Sequence, residues 1–146
     1  VYMLPESTHH LVVVGVKTAY TGIAQQIANL IYGSKLSPWF HMTIVVDEDT
    51  DIYSKDAVIH ALSTKCHPIR DIHKYENAPG TPLNPFASPE ERKTSMGAKV
   101  LFDCTFPLDW PKSDLPIRVS FDNVYPEEVQ KKVLGNWDSF GYGDYR

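Results

Sequence analysis

Cysteine is scarce in this sequence, and its two cysteines, Cys66 and Cys104, do not form a Cys-x-x-Cys motif. Two cysteines this far apart fit a reduced cytosolic protein better than a secreted disulfide scaffold. The sequence also lacks the ~18 consecutive apolar residues that a membrane helix needs, and no signal-peptide pattern opens it. We therefore expect a soluble, cytoplasmic protein without a membrane partner.

Positive charge is sparse as well. Fourteen Lys and Arg residues face eighteen Asp and Glu residues, which gives a net charge of −4 without any basic block. This balance argues against a nucleic-acid surface. Glycine-rich phosphate loops are missing too, because Gly80 and Gly97 are isolated turn glycines. Hydrophobic residues nevertheless make up 42% of the 146 residues, which predicts one folded domain over residues 1–146.

The central stretch, residues 41–68, predicts a strand, an acidic turn and a helix in that order. His41 to Val46 is rich in β-branched residues, which favours a buried strand. Ser54 is the predicted N-cap of the helix that follows, and Pro68 is predicted to stop it. A strand that leads into a helix is half of an α/β unit, and ligands usually approach such units where the strand ends.

The same order occurs earlier in the chain. Leu11 to Val16 is a continuous apolar run, typical of a strand covered on both faces. Thr21 is the predicted N-cap of a helix whose apolar residues follow a helical period, and Gly33 marks its predicted end.

The rest of the chain predicts weaker elements. The predicted strands are Ile69–Tyr75, Ala98–Asp103 and a possible fifth, Ile117–Phe121. Residues 77–89 contain four prolines and are predicted to form an irregular loop. Pro126 is predicted to open a last helix with Val129, Val133, Trp137 and Phe140 on one face, and residues 141–146 to be loosely held or to lie on a partner. The predicted fold class is α/β, a three-layer sandwich around a mixed sheet of about four or five strands.

An acidic turn follows the central strand, with Asp47, Glu48, Asp49 and Asp51. Carboxylates of this kind bind Mg²⁺ or Ca²⁺, and a metal-dependent hydrolase is one alternative for this sequence. The turn lacks the glycine and the distal glutamate of a calcium-binding EF-hand, so we interpret these residues mainly as solvated turn acids. Zinc is not expected, since the six histidines and two cysteines show no close ligand spacing.

Two further segments carry candidate site residues. Thr64 and Cys66 follow the central helix, and Phe106, Pro107 and Leu108 lie in a proline-rich loop after the fourth strand. A nucleophilic pair of Cys66 and His67 is not expected, because sequence neighbours on an element point in different directions. Side chains of these types build apolar pocket walls, although from the pattern alone ordinary packing is the favoured interpretation.

Four blocks of the sequence carry a family resemblance. They are TIVVDEDTD (43–51), HALSTKCHP with RD (60–71), ENAPGTPLNPFA (76–87) and SMGAKVLFDCT (95–105). In this order and spacing they resemble the C-terminal domain of the UbiD family of prenylated-flavin decarboxylases. Within that family, the chain is most similar to decarboxylases of hydroxylated benzoic acids such as protocatechuate (3,4-dihydroxybenzoate).

The resemblance implies a non-oxidative, reversible loss of CO₂ from an aromatic or α,β-unsaturated acid on prenylated FMN. In the family, the flavin, a divalent metal (Mn or Mg) and potassium are bound by an N-terminal domain. That domain also carries the catalytic Glu-Arg-Glu network and is absent from this sequence. No arginine here, neither Arg70, Arg92, Arg118 nor Arg146, matches the network, so no catalytic, cofactor-binding or metal-binding residue is assigned to this chain. Because Val1 is not an initiator methionine, we expect a piece of a longer protein.

The resemblance also implies a role in the substrate pocket. Thr64 and Cys66 match family positions that face the substrate, and Phe106, Pro107 and Leu108 match a mobile loop that covers it. Cys66 replaces the aromatic residue of cinnamate-type members, which would widen the pocket. The expected partners are the aromatic acid, the protein's own flavin-binding domain and further copies of the protein.

The resemblance therefore predicts a lid and dimerisation domain that is inactive alone. The alternative is a non-enzymatic interaction domain that dimerises through Trp137, Phe140, Tyr142 and Tyr145 near the end of the chain.

Overall fold

The computed structural model describes residues 1–117 and 119–143. The strands are β1 (Tyr2–Met3), β2 (Leu11–Val16), β3 (Met42–Asp47), β4 (Ile72–Pro79) and β5 (Met96–Cys104). The helices are α1 (Ile23–Tyr32), α2 (Lys55–Thr64), α3 (Pro89–Thr94), α4 (Phe121–Val124) and α5 (Glu127–Gly135), with short 3₁₀ turns at Pro5–Ser7 and Lys112–Asp114. The chain forms two compact units, Val1–Trp110 and Pro111 onwards. Among the described residues, no helix has both the length and the apolar character needed to cross a membrane.

The first unit is built on one mixed sheet with the strand order β1-β2-β3-β5-β4. Its three central strands, β2, β3 and β5, are parallel, and the two edge strands pair antiparallel. Val13 lies opposite Ile44, and Ile44 lies opposite Phe102 across the centre of the sheet. The predicted α/β fold with a mixed sheet is confirmed.

Successive residues of the central strands pack on opposite faces of this sheet. Val12 and Val45 pack with α1 on one face, while Val13 and Val46 pack with α2 on the other. All four are buried. Because strand side chains alternate, a run of apolar residues can serve both faces, and the result is the predicted arrangement of three layers.

The ends of the two main helices agree in part with the sequence. The Ser54 hydroxyl accepts a hydrogen bond from Ala57 N–H at 3.3 Å and caps α2, as predicted. The cap of α1 is not Thr21 but Gly22, whose φ of 91° brings the chain into the helix without a side-chain bond. Helix α2 ends at Thr64, before Pro68 is reached, while Gly33 ends α1 as predicted.

Strand β4 corrects the predicted loop over residues 77–89. The strand continues to Pro79, which lies opposite Met96, after a register irregularity between Tyr75 and Ala78. Proline is tolerated here because β4 is an edge strand and ends at this residue. The segment also contains the start of α3, which the sequence analysis had not predicted, with Pro89 at its first position.

Two further predictions are wrong in the second unit, and the first is the strand predicted at Ile117–Phe121. Ile117, Val119 and Ser120 are not in a strand, and Arg118 lies outside the described residues. The Ser120 hydroxyl instead accepts a hydrogen bond from Asn123 N–H at 3.3 Å and starts α4, so the fifth strand of the sheet, among the described residues, is β1.

The last helix is shorter than predicted. Helix α5 ends at Gly135, and Trp137 and Phe140 lie in turns beyond it rather than on one helical face. The Trp137 ring packs 5.3 Å from the Tyr142 ring. Tyr145 and Arg146 lie outside the described residues.

Candidate functional site

The three parallel strands end together, and a cavity of about 280 Å³ opens at their carboxyl ends, which we call the sheet edge. Val16 pairs with Asp47, and Val46 pairs with Cys104, so β2, β3 and β5 finish at the same level. In open α/β sheets, ligands bind outside the carboxyl ends of the strands. We therefore take this edge as the candidate functional site.

The cavity lining combines polar and apolar side chains. The polar ones include Arg70, Asp71, Asp103 and Asp109, together with Thr18 and Gln25, and the apolar ones include Phe106, Pro107, Leu108 and Trp110. Three carboxylates thus face a single guanidinium in the lining. This balance favours an uncharged or cationic group over an anion.

Asp47 joins three segments at this edge. Its Oδ1 accepts a hydrogen bond from the Thr18 hydroxyl at 2.9 Å, after β2. Its Oδ2 accepts bonds from the Phe106 N–H at 3.1 Å and from the Lys65 ammonium at 3.2 Å. The side chain is 19% exposed. The prediction of a solvated turn acid is therefore wrong for Asp47, because its position at the strand end places it between neighbouring loops.

The other three acids of the turn fit that prediction. Glu48, Asp49 and Asp51 are all exposed. Asp51 accepts a bond from Tyr53 N–H at 2.9 Å, and Asp49 lies 3.1 Å from the Lys65 ammonium. Across the described residues, no group of three or more His, Cys, Asp or Glu side chains is arranged to hold a metal ion.

Lys65 connects the end of α2 to the loop after β5. Its side chain is 10% exposed, and its ammonium lies 4.7 Å from the centre of the Phe106 ring. A cation over an aromatic face is attracted by the ring quadrupole, most strongly where water is excluded. Phe106 is thus held through its backbone by Asp47 and through its ring by Lys65.

Two neighbouring carboxylates in the cavity have opposite environments. Burial raises the pKa of Asp71, but the Arg70 guanidinium at 2.9 Å and the His67 N–H at 2.9 Å outweigh burial and hold that pKa below its usual range. Burial raises the pKa of Asp103, and the two bonds from Thr105 offset this only in part. Asp71 is the stronger acid, while Asp103 keeps its proton to a higher pH.

The structure brings together three of the five predicted pocket residues. Phe106, Pro107 and Leu108 line the cavity. Thr64 does not line it: this residue is exposed, and its hydroxyl donates to the His60 carbonyl at 2.7 Å. Cys66 also lies outside the lining, with its thiol 3.8 Å from the Asp71 carbonyl oxygen. Substrate contact by Thr64 and Cys66 stays a prediction.

The two cysteine side chains are neighbours in the layer between the sheet and α2. Cys66 packs against the buried cluster that contains Cys104, and the Cys104 thiol lies 3.8 Å from the Phe102 carbonyl oxygen. Burial raises the pKa of both thiols. Neither is set up as a nucleophile, because an activated cysteine needs a lowered pKa.

The contacts that Asp47, Lys65 and Gln25 make at this edge were not predicted. Asp47 and Lys65 lie in two of the sequence blocks that carry the family resemblance, but their spacing along the chain does not indicate that their side chains meet. The Gln25 amide lies 3.0 Å from His73 Nε2, a contact across 48 positions. The sequence signal that could have found Asp47 and Lys65 is their place in the chain. Asp47 is the last residue of β3, and Lys65 follows α2 directly.

A second, larger concavity lies on the α1 face of the first unit. It measures about 790 Å³ and is almost entirely apolar, with Tyr2, Met3, Ile27, Leu30 and Leu36 among its lining residues. It lacks the converging polar groups that orient a small ligand, so the edge of the sheet is the better candidate for a substrate site.

Neither concavity has the chemistry of a flavin phosphate site. The cavity at the sheet edge presents three carboxylates, and its single arginine is already paired with Asp71. A phosphate group would meet repulsion there rather than donors. The cavity at the sheet edge therefore does not fit the phosphate of FMN, and among the described residues no three His, Cys, Asp or Glu side chains are grouped to hold a metal ion.

Comparison with known proteins gives the family. Residues 1–104 match the family model described as 3-octaprenyl-4-hydroxybenzoate carboxy-lyase C-terminal domain, UbiD_C. Ferulic acid decarboxylase 1 from Saccharomyces cerevisiae is 30% identical over 127 residues, which cover 86% of this chain and 25% of that protein. The chain spans about a quarter of the length of the curated relatives it matches.

Solved structures agree with this match. The apo 3,4-dihydroxybenzoic acid decarboxylase from Klebsiella pneumoniae superposes with a TM-score of 0.65 at 28% identity, over 84% of this chain and 26% of that one. The UbiD-class enzyme HmfF from Pelotomaculum thermopropionicum has a TM-score of 0.70 over 98% of this chain and 28% of its own, and at 22% identity it shows likeness of fold alone. The chain belongs to the UbiD family, and residues 1–104 are its C-terminal domain.

Proposed function

We propose that this chain is part of a longer UbiD-family enzyme that removes CO₂ from an aromatic carboxylic acid, non-oxidatively and reversibly, with prenylated FMN. The observation that carries the proposal is the family match over residues 1–104. Relatives and neighbours named as decarboxylases of ferulic and 3,4-dihydroxybenzoic acid support it. Hydroxylated benzoates such as protocatechuate are the substrate class we propose.

The proposal assigns the reacting groups to a flavin-binding domain that precedes this one. That domain would hold the prenylated FMN, a divalent metal and potassium, and the flavin would supply the electron sink for decarboxylation. The misfit between the flavin phosphate and the carboxylate-rich cavity at the sheet edge supports the assignment. We propose no catalytic residue here.

The contribution of this chain would be one wall of the substrate pocket. Phe106, Pro107 and Leu108 offer apolar contact to an aromatic ring and exclude water from it. The carboxylates of Asp71, Asp103 and Asp109 would repel the carboxylate of the acid. The substrate would therefore turn its carboxylate away from this edge, towards the flavin domain.

A homo-oligomer is also part of the proposal. Val129 and Leu134 on α5 and Phe140 beyond it are exposed within this single chain. Apolar side chains spaced along one segment mark an interaction surface. The same observation favours the alternative, a non-enzymatic dimerisation domain. If the chain dimerises through this segment, sedimentation should show a dimer for the wild-type chain and a monomer for Phe140→Ser.

The activity test compares the full-length protein with the present chain. The full-length protein, loaded with prenylated FMN, should decarboxylate at least one of protocatechuate, 4-hydroxybenzoate or vanillate and exchange ¹³C-bicarbonate into the remaining acid. The 146-residue chain should give no turnover under the same conditions. Turnover by the chain alone would contradict the division of labour. A flavin-loaded full-length protein that is inactive on every acid would contradict the decarboxylase assignment and leave the interaction domain.

A further inference from the structure

The segment after β5, residues 105–108, is held at Asp47 by its backbone. The Phe106 N–H donates to Asp47 Oδ2 at 3.1 Å, across 59 positions of the chain. We propose that Asp47 is a positioning residue, which fixes the Phe106–Leu108 segment in the place where it covers the substrate. The inference rests on the proposed function, since it concerns the segment that would form the pocket wall.

The bond is suited to this task because it acts on the main chain. A hydrogen bond from a backbone N–H to an ionised carboxylate is stronger than one between neutral groups, and it fixes the path of the chain rather than one rotamer. Phe106 comes two residues after the end of β5, so its amide sets the direction in which Pro107 and Leu108 leave the sheet. Pro107, with its restricted φ, carries that direction forward.

The carboxylate itself is held by donors on both oxygens. The Thr18 hydroxyl occupies Oδ1 at 2.9 Å, and the Lys65 ammonium shares Oδ2 with Phe106. A carboxylate with both oxygens bonded has little freedom to rotate. Asp47 can therefore transmit the position of β3, in the centre of the sheet, to the segment after β5.

Lys65 adds a second attachment for the same segment. Its ammonium is bonded to Asp47 and lies 4.7 Å from the centre of the Phe106 ring. The backbone bond places Phe106, and the cation orients its ring. Lys65 stands between Thr64 and Cys66, so it also links the two stretches that the sequence resemblance assigns to the substrate pocket.

Amide hydrogen exchange in the 146-residue chain tests the attachment without any assay of activity. Asp47→Asn keeps the shape of the side chain but removes its charge, so the Phe106 amide should exchange about tenfold faster, while the buried Val45 amide of β3 changes far less. Glu48→Gln is the matched control, because Glu48 is the exposed acid next in the same turn. It should leave the Phe106 amide unchanged.

Kinetics of the flavin-loaded full-length protein test the positioning role. A residue that holds the pocket wall in its working position should affect turnover more than binding, so Asp47→Asn should lower kcat about tenfold and change KM by less than about threefold. Asp47→Glu, which keeps the charge, should recover part of kcat. If Asp47→Asn does not fold, Lys65→Met, which keeps the aliphatic contact but loses the charge, should accelerate Phe106 exchange and lower kcat in the same direction.

The outcomes separate this inference from the proposed function. If the wild-type full-length protein is inactive, the decarboxylase assignment is refuted. The positioning role is then refuted with it, even where Asp47→Asn accelerates Phe106 exchange. An active enzyme in which Asp47→Asn changes neither Phe106 exchange nor kcat would overturn the positioning role and leave the proposed function intact. A loss of kcat with unchanged Phe106 exchange, or a fall in kcat matched by Glu48→Gln, would also overturn it.

Discussion

The ammonium of Lys99 donates a hydrogen bond to the carbonyl oxygen of Phe40 at 2.9 Å, inside the first unit, where Lys99 is 3% exposed. It also donates to the Ser37 carbonyl and lies 5.4 Å from the centre of the Tyr32 ring. Among the described residues, no carboxylate forms an ion pair with Lys99. Burial therefore lowers its pKa to about 8.

This environment predicts that Lys99 stabilises the folded protein more at mildly alkaline pH than at neutral pH. The ordinary pKa of lysine is 10.5, so between pH 8 and that value the unfolded chain binds more protons at Lys99 than the folded chain does. The contribution of Lys99 to the free energy of unfolding then rises with pH, by about 1 kcal/mol from pH 7 to pH 9. Urea unfolding over this range measures it.

The comparison with Lys99→Met isolates this group from others that titrate in the same range. The thiols of Cys66 and Cys104 have raised pKa values in the folded protein, which lowers stability as the pH rises. Their contribution is the same in both proteins and cancels in the difference. An equal pH dependence in wild type and Lys99→Met would contradict the assignment to Lys99.

The sheet and its two main helices could be predicted because their residues follow local periods. Leu11–Val16 and the strand near His41–Val46 are dense in β-branched residues. The helices after them have Gly22 and Ser54 as N-caps, within one residue of the predicted caps. Strand β4 could not be delimited from the sequence, since Pro79 predicts a loop unless it is known that the strand lies at the sheet edge.

The candidate site was predicted only where it coincides with a contiguous segment. Phe106 to Leu108 form one contiguous segment, and the family resemblance assigned them to the pocket, whereas their apolar pattern alone favoured ordinary packing. The roles of Asp47 and Lys65 depend on contacts across 59 and 18 positions, which no local pattern encodes. The burial of Lys99 was also missed, because a lysine in a strand normally faces water.

Gly22 provides a test of the backbone at the start of α1. Its φ of 91° lies in the region that side chains disfavour, so Gly22→Ala should lower the free energy of unfolding by about 1 kcal/mol. Gly97→Ala is the control, since a Cβ at Gly97 meets no atom within 4 Å and its φ is not in that region. Urea unfolding of both variants checks the prediction, and equal effects would contradict it.

The two thiols should react slowly in the folded protein. Burial raises the pKa of Cys66 and Cys104, so little thiolate is present at pH 8, and Cys104 is also fully buried. Iodoacetamide should label Cys66 more slowly than an unfolded thiol by about tenfold or more, and Cys104 more slowly still. Peptide mass mapping after timed labelling, with and without urea, measures both rates. Rapid labelling of native Cys104 would be inconsistent with its position in the core.

A pair of leucines separates stability from the proposed function. Leu101 is 0% exposed in the cluster between the sheet and α1, whereas Leu108 is 50% exposed beside the cavity. Leu101→Ala leaves a cavity in a packed core and should cost about 3 kcal/mol of unfolding free energy. Leu108→Ala removes the same atoms from a partly solvated position and should cost less than about 0.5 kcal/mol.

The order of the two variants should reverse in the flavin-loaded full-length protein. Leu108→Ala removes part of the wall that would contact the substrate ring, so kcat/KM should fall at a temperature where the variant is fully folded. Leu101→Ala, assayed at the same folded fraction, should keep most of its activity because its side chain faces α1 and not the cavity. Urea unfolding and initial rates on the same preparations supply both values. If Leu108→Ala is as active as wild type towards every acid that the enzyme accepts, the Phe106–Leu108 segment is not the pocket wall.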